Sequence, residues 1–142
     1  MKSINVYLNF NGDCEEAFNF YQSVFGGDFA ILMRFEEMPP SEDFKVADKD
    51  KKNIMHVSLQ IKEGLVLMGS DTPTGMPSQL GTNISISIAA ESEQEVDELF
   101  DKLAESGEVT MPKGKMFWGA YFGSCRDKFG VNWMVDCELS GN

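Results

Sequence analysis

One histidine, His56, serves a chain of 142 residues, so no site built from two imidazoles of one chain is available. The three cysteines, Cys14, Cys125 and Cys137, are odd in number and lack C-x-x-C spacing. Neither a disulfide framework nor a zinc ribbon is expected, and a reducing cytoplasm is the natural compartment. Cations are scarce as well: 12 Lys and Arg against 23 Asp and Glu leave a net charge of −11. Phosphate backbones bind proteins by releasing counterions to Lys and Arg clusters. The nearest approach to one, Lys49-Asp50-Lys51-Lys52, is interrupted by acid and lies in a polar connector, so nucleic acid and anionic membrane are poor partners. No apolar run approaches the roughly 18 residues of a spanning helix, and Met1-Lys2-Ser3-Ile4-Asn5 lacks the apolar core of a signal peptide. The expectation is a soluble cytoplasmic protein whose acidic surface is compatible with cationic ligands.

What is present suffices for one domain, residues 1–142, with a core that needs no disulfide or structural metal. Ile4, Val6, Leu8 and Phe10 alternate with Asn5, Tyr7 and Asn9, the pattern of a half-buried strand. Asp13 then opens a helix over Cys14–Phe25, with Glu16 three residues on and Ala17, Phe20, Tyr21 and Val24 at helical spacing. Gly26-Gly27 ends it. Strands are predicted at about 28–37, 53–61 and 64–70, the last two joined around Lys62-Glu63-Gly64.

The second half repeats this grammar. Asn83-Ile-Ser-Ile-Ser-Ile88 alternates, Ser92 caps a helix over Glu93–Glu105 with Glu95 as the returning acid, and Gly107 closes it. Strands are predicted at about 108–111, 117–125 and 131–138. Sliding one helix onto the other so that Glu16 meets Glu95 brings Ala17, Phe20 and Tyr21 onto Val96, Leu99 and Phe100. Two β-α-β-β-β modules result, about 1–71 and 82–142, with a Pro/Gly-spaced linker at about 72–81. The segment Met38–Lys52 is long for a link between neighbouring strands; such loops serve as lids or are disordered, and disorder is the expectation. The closing unit, Trp118–Val135, reads as a hairpin around Asp127-Lys128-Phe129-Gly130, with Asp127 capping the turn and Gly130 supplying positive φ.

The duplicated pattern, the opening Phe10-Asn-Gly-Asp-Cys-Glu-Glu-Ala-Phe-Asn-Phe-Tyr-Gln-Ser-Val-Phe-Gly26 and the closing Trp118-Gly-x-x-Phe-Gly-x-x-x-Asp-x-Phe-Gly-x-x-Trp133 together resemble the PhnB-like branch of the vicinal oxygen chelate superfamily. That superfamily holds glyoxalase I, bleomycin-resistance proteins and extradiol dioxygenases. Lys128 departs from the proline usual in the family's turn, which bears on turn rigidity alone. The resemblance implies an α+β fold whose two β-α-β-β-β modules have sheets curled into a cup, with helices on the convex face and ligand inside. Strand parity then places Asn5, Tyr7 and Asn9 in the cup, with Ile4, Val6, Leu8 and Phe10 under the helix. It likewise places His56, Ser58 and Gln60 inside and Met55, Val57, Leu59 and Ile61 outside. In module two Asn83, Ser85 and Ser87 face inward and Ile84, Ile86 and Ile88 outward.

Metal-dependent members carry His, Glu, His and Glu on the first and last strand of each module. Transferred by register, those positions fall near Asn5, Met68, Asn83 and Met134, none a competent ligand for a divalent first-row metal. A slip of one residue, to Val6, Leu67, Ile84 and Val135, is worse. No metal and no cofactor are therefore expected. The branch is also described as a ubiquinone methyltransferase, yet nothing resembles a glycine-rich nucleotide loop for S-adenosylmethionine. The candidate ligand-binding residues are Asn5, Tyr7, Asn9, His56, Ser58, Asn83, Trp118 and Met134.

Each has a plainer alternative. His56 can act as acid or base near cellular pH or simply be hydrogen-bonded within a sheet. Tyr7, Tyr121, Trp118 and Trp133 can stack on a planar ligand or fill the core. Arg126 can bind a carboxylate or pair with Asp127; Asp71 and Glu138 read as strand-end acids, and the cysteines as inert small side chains. Three functions stay open: binding or sequestration of a small organic molecule without metal, a metal-independent lyase or isomerase using His56 or Tyr7 as acid–base group, and a scaffold with no small ligand. A symmetric homodimer is expected, as in two-module relatives.

Overall fold

Val6, Leu8 and Phe10 alternate with more exposed neighbours, and a strand gathers such residues on one face. In the computed structural model, which describes residues 1–39 and 41–139, they form β1 (Val6–Phe10), the first strand of one of two compact units, Met1–Gln79 and Leu80–Asn142. α1 (Cys14–Phe25), β2 (Asp28–Arg34), β3 (Ile54–Lys62) and β4 (Leu65–Asp71) complete the first unit's framework. The sheet order is β1-β4-β3-β2, with β1 parallel to β4 and the other pairs antiparallel.

α1 buries Cys14, Ala17, Phe18, Tyr21 and Val24 against the sheet face that carries Phe10, Val57, Leu59 and Leu67. Phe18, not the expected Phe20, holds the centre of the stripe, because i, i+3, i+4, i+7 spacing from Cys14 reaches Ala17, Phe18 and Tyr21. It meets Phe10 edge-on at 6.2 Å and Tyr21 at 5.5 Å. Gly69 permits this approach: a Cβ there would stand 2.6 Å from the Leu8 carbonyl oxygen and 2.8 Å from Phe18 Cε2.

Asp13 precedes α1 without a capping hydrogen bond from its side chain. Asp71, at the end of β4, takes the role: Oδ1 accepts from Gly12 N and Cys14 N, each at 2.9 Å, and Oδ2 accepts from Ile54 N at 2.9 Å. One buried carboxylate thus joins the helix N-terminus to the start of β3 and the end of β4, the two central strands. Arg34 adds a fork onto Glu15, at 3.0 and 2.7 Å, which holds the Glu15 carboxyl below the usual carboxylate range.

Ile4, expected under the helix, is 87% exposed. The parallel ladder begins at Val6↔Leu67, two residues into β4, so Ile4 lies ahead of the paired stretch. The segment after β2 also differs from expectation. Single 3-10 turns at Phe35–Glu37 and Asp48–Asp50 flank it, and buried Asp50 accepts from Thr74 N at 2.8 Å and Thr74 Oγ1 at 2.6 Å. Pro40, within it, lies outside the described residues. Asn11 fixes the stretch beyond β4, exchanging bonds with Ser78 N at 2.8 Å and Ser78 O at 3.0 Å.

The second unit contains β5 (Ile86–Ala89), α2 (Glu93–Ala104), β6 (Glu108–Lys115), β7 (Ala120–Arg126) and β8 (Asn132–Glu138), in sheet order β5-β8-β7-β6. The cap of α2 forms as expected: Glu95 N donates to Ser92 Oγ and Glu91 N to Glu95 Oε1, both at 3.1 Å. Val96, Phe100 and Leu103 are buried, matching Ala17, Tyr21 and Val24, while Leu99 and Phe20 are both half-buried. Where the first sheet pairs Val57 with Gly69, the second pairs Gly123 with Val135, and a Cβ on Gly123 would lie 2.8 Å from Phe100 Cε2. The same aromatic-on-glycine contact has moved to the neighbouring strand.

β6 outruns its expected end because it passes through Pro112 with two register shifts, which an edge strand tolerates. Ile84 is 75% exposed for the reason given for Ile4: its ladder starts at Ile86↔Trp133, one residue into β8. In the closing hairpin Gly130 has φ 91° and donates to the Asp127 carbonyl at 2.9 Å. The buried Asp127 carboxylate accepts from Phe129 N, Val131 N and Trp133 Nε1 at 2.8, 3.0 and 2.8 Å. Each sheet curls with its helix on the convex face.

Asp71→Ala leaves three amide donors unpaired, and urea unfolding should register a loss of about 2–4 kcal/mol, with Asp71→Asn costing less. A second measurement concerns α2. Tyr121 Oη, then Lys113 Nζ, bond Asp97 Oδ1 at 2.6 and 2.9 Å and hold its carboxyl below the usual range. A lowered carboxyl pKa stabilises the fold above the unfolded value near 3.9, and the contribution is lost as pH falls through the folded value. Melting temperature followed from about pH 5 to about pH 3 should therefore fall less steeply in Tyr121→Phe than in the native chain.

Candidate functional site

With Val57 and Leu59 under α1, alternation turns His56, Ser58 and Gln60 to the opposite, open face of the first sheet. The same rule turns Tyr7 and Asn9 on β1 and Met68 and Ser70 on β4 that way. Cross-strand register then assembles a row, Tyr7↔Met68↔Ser58↔Ile31, with Met33 opposite His56 beside it. Tyr7 reaches across β4: its Oη lies 3.1 Å from His56 Nδ1, the two rings nearly parallel at 15° with centroids 5.7 Å apart. Of the sequence candidates, Tyr7, Asn9, His56 and Ser58 share this face. Asn5 precedes β1, its amide donating to Ser3 Oγ at 2.8 Å.

In the second unit Trp133, Val135 and Cys137 are buried under α2, so Met134 lies on the open face, paired with Ser87 and Ser124. Ser124 Oγ meets Thr110 Oγ1 at 2.7 Å. Trp118, from the turn after β6, sets its ring edge-on to Phe122 at 5.8 Å and is 53% exposed. Asn83 is exposed and lies ahead of β5, outside the ladder. Tyr121 and Trp133 belong to the helix side, bonded to Asp97 and Asp127. The Asp127 carboxylate accepts from the Phe129 and Val131 amides and the Trp133 indole.

The two faces correspond position by position. Ser87, Met134 and Ser124 repeat the row Tyr7, Met68 and Ser58, and Phe122 stands where the first sheet has His56. The Tyr–His pair of the first face thus has no counterpart at these positions of the second, whose open-face strand β8 carries Asp136 opposite Phe122 instead. Sequence reasoning missed Ile31 and Met33 as members of this face; the bulge between Phe29 and Ile31 breaks the alternation that would have placed them.

The donor set does not fit the divalent metal of the superfamily's metal-dependent members. The central-strand positions are thioethers, Met68 and Met134, with Tyr7 and Ser87 beside them, and such donors do not hold a hard divalent ion. Among the described residues no group of three or more His, Cys, Asp or Glu side chains is placed to hold a metal. Nor is any described helix long and apolar enough to cross a membrane.

Comparisons with known proteins bear on the family and the fold. Residues 2–136 match the family model described as 3-demethylubiquinone-9 3-methyltransferase. The crystal structure of protein PA1353 from Pseudomonas aeruginosa is 40% identical, covers 99% of this chain and 100% of its own, and superposes with a TM-score of 0.87. A PhnB protein from Bacillus cereus is 28% identical over 96% of this chain and 99% of its own, TM-score 0.77. A glyoxylase/bleomycin resistance protein/dioxygenase domain from Frankia sp. EAN1pec, 13% identical over 100% of this chain and 96% of its own, shares the fold at a TM-score of 0.69.

The thiols are poor nucleophiles. Burial pushes Cys125 up to about 11 and raises Cys14 further, with Asp71 adding to the latter. A disulfide reagent at pH 8 should titrate essentially none of the three buried cysteines in the native protein and all three after unfolding in guanidinium.

Proposed function

The chain belongs to the 3-demethylubiquinone-9 3-methyltransferase family, a PhnB-like member of the glyoxalase-like superfamily, and from that premise we propose that it binds a small organic molecule on the open face of its first sheet without a divalent metal. The observation that carries this reading is the Tyr7–His56 pair, polar groups bonded to each other at 3.1 Å amid Ile31, Met33 and Met68. Ligand sites characteristically set a few polar groups in an apolar lining. Methionine adds a deformable, polarisable surface for planar ligands. The family description names a methyl transfer, for whose donor the chain offers no glycine-rich loop. Asn5, Asn9, Ser58, Asn83, Trp118 and Met134 stay candidates for ligand contact.

The second reading, a metal-independent lyase or isomerase, draws on the same hydrogen bond, which makes Tyr7 and His56 a possible proton-transfer pair. We further propose a cytoplasmic homodimer. Its support is the precedent of two-module relatives, and light scattering at micromolar concentration tests the dimer.

A thermal-shift screen tests the binding reading. A ligand at about 100 times its Kd stabilises the folded state by about 2.7 kcal/mol, and the shift should shrink at least by half in Tyr7→Ala at the same concentration. A compound that stabilises both proteins equally places its site elsewhere. Consumption of the compound by the native protein and not by His56→Phe supports the lyase reading instead. Stoichiometric divalent metal in the purified protein would overturn the metal-free proposal.

A further inference from the structure

Among the described residues, Tyr7 is the one side chain hydrogen-bonded to His56, and the bond reaches Nδ1. Two arrangements can satisfy it. Either the phenol donates to the Nδ1 lone pair and the imidazole keeps its proton on Nε2, or Nδ1–H donates to the phenol oxygen and Nε2 is left bare. A phenolic O–H is a far stronger acid than a neutral imidazole N–H, and an imidazole lone pair is a far stronger base than a phenol oxygen. The first arrangement pairs the better donor with the better acceptor.

The surroundings narrow what such a ring can recognise. Met33 lies opposite His56, Ile31 opposite Ser58, and Met68 between Tyr7 and Ser58. None of these paired residues is charged. Arg34, the one arginine of β2, is occupied by Glu15 and the Lys52 carbonyl. A carboxylate or phosphate laid on this face would lose water without a counter-ion, in a chain of net charge −11. A neutral carbonyl oxygen needs only a donor.

We propose that Tyr7 is a positioning residue that fixes His56 as the Nε2–H tautomer, so that the open face of the first sheet offers its ligand a hydrogen-bond donor among the uncharged Ile31, Met33 and Met68 and selects neutral organic molecules bearing a carbonyl-type oxygen. The choice of ligand class rests on the binding reading above; the tautomer does not. With His56 deprotonated, Nε2 donates rather than accepts.

Two experiments separate these parts. His56 is the only histidine, so long-range 1H–15N correlation spectra of the labelled full chain at pH 8.5 report its two ring nitrogens without overlap. The expected pattern is a protonated Nε2 and a bare Nδ1, moving toward the mixture of tautomers in Tyr7→Phe, a change that removes only the hydroxyl. An Nδ1–H pattern, or identical spectra in the two proteins, overturns the role of Tyr7. For the ligand class the probes are acetophenone and ethylbenzene, of similar shape but with and without the oxygen. Ligand-observed NMR titration should give about a tenfold tighter Kd for acetophenone, equivalent to about 1.4 kcal/mol, and the preference should vanish in His56→Phe. Equal affinity for the two probes overturns the selectivity and leaves binding on this face standing. Failure of acetophenone to bind at millimolar concentration overturns the ligand class, whatever the tautomer.

Discussion

A carboxylate with almost no exposure, Asp71, collects three backbone amides from parts of the chain that are far apart in sequence: Gly12 ahead of α1, Cys14 at its first residue, and Ile54 at the start of β3. A buried charge is tolerable only when such donors replace its water. The same bonds satisfy amides that a helix start and a strand start would otherwise leave unpaired. Because Ile54 stands two residues before His56 on β3, the anchor also helps set the register that puts His56 opposite Met33 and on Tyr7's side of the sheet. In the second unit Asp127 does related work within a hairpin, gathering two amides and the Trp133 indole.

Around these anchors each unit separates its chemistry by face. The helix side is a hydrocarbon layer in which an aromatic ring, Phe18 or Phe100, lies on a glycine, Gly69 or Gly123. The open side carries the Tyr7 and serine hydroxyls, the imidazole, Met68 and Met134. The two units are alike in frame and unlike in content: a Tyr–His pair on one sheet has Ser87 and Phe122 in its places on the other. Duplication supplied a scaffold twice, and the Tyr–His pair stands on one copy.

Much of the frame was legible in the residues. Alternation in β1 and β3, the stripe of α1 and the cap of α2 are local patterns, set by the two- and 3.6-residue periods of strand and helix. The matched helices were visible for the same reason, down to the half-buried Phe20 and Leu99. What misled were places where a partner segment decides. Ile4 and Ile84 continue perfect alternation but stand ahead of the first ladder pair of their strands and are exposed. Pro112 looked like a strand end and is carried on an edge. Asp71 read as a strand-end acid, and Asp50 as part of a polar loop, because their amide partners are distant in sequence.

The sequence by itself determined which residues alternate, which helices match and that one histidine must serve the whole chain. These follow from local periodicity and composition, which need no partner. Tertiary structure alone decided that Tyr7 bonds His56, that Met33 and Ile31 join them, and that Tyr121 and Trp133 turn to the helix side. Those outcomes depend on strand order and on a bulge, and so on contacts between residues tens of positions apart, for which no local pattern carries a signal.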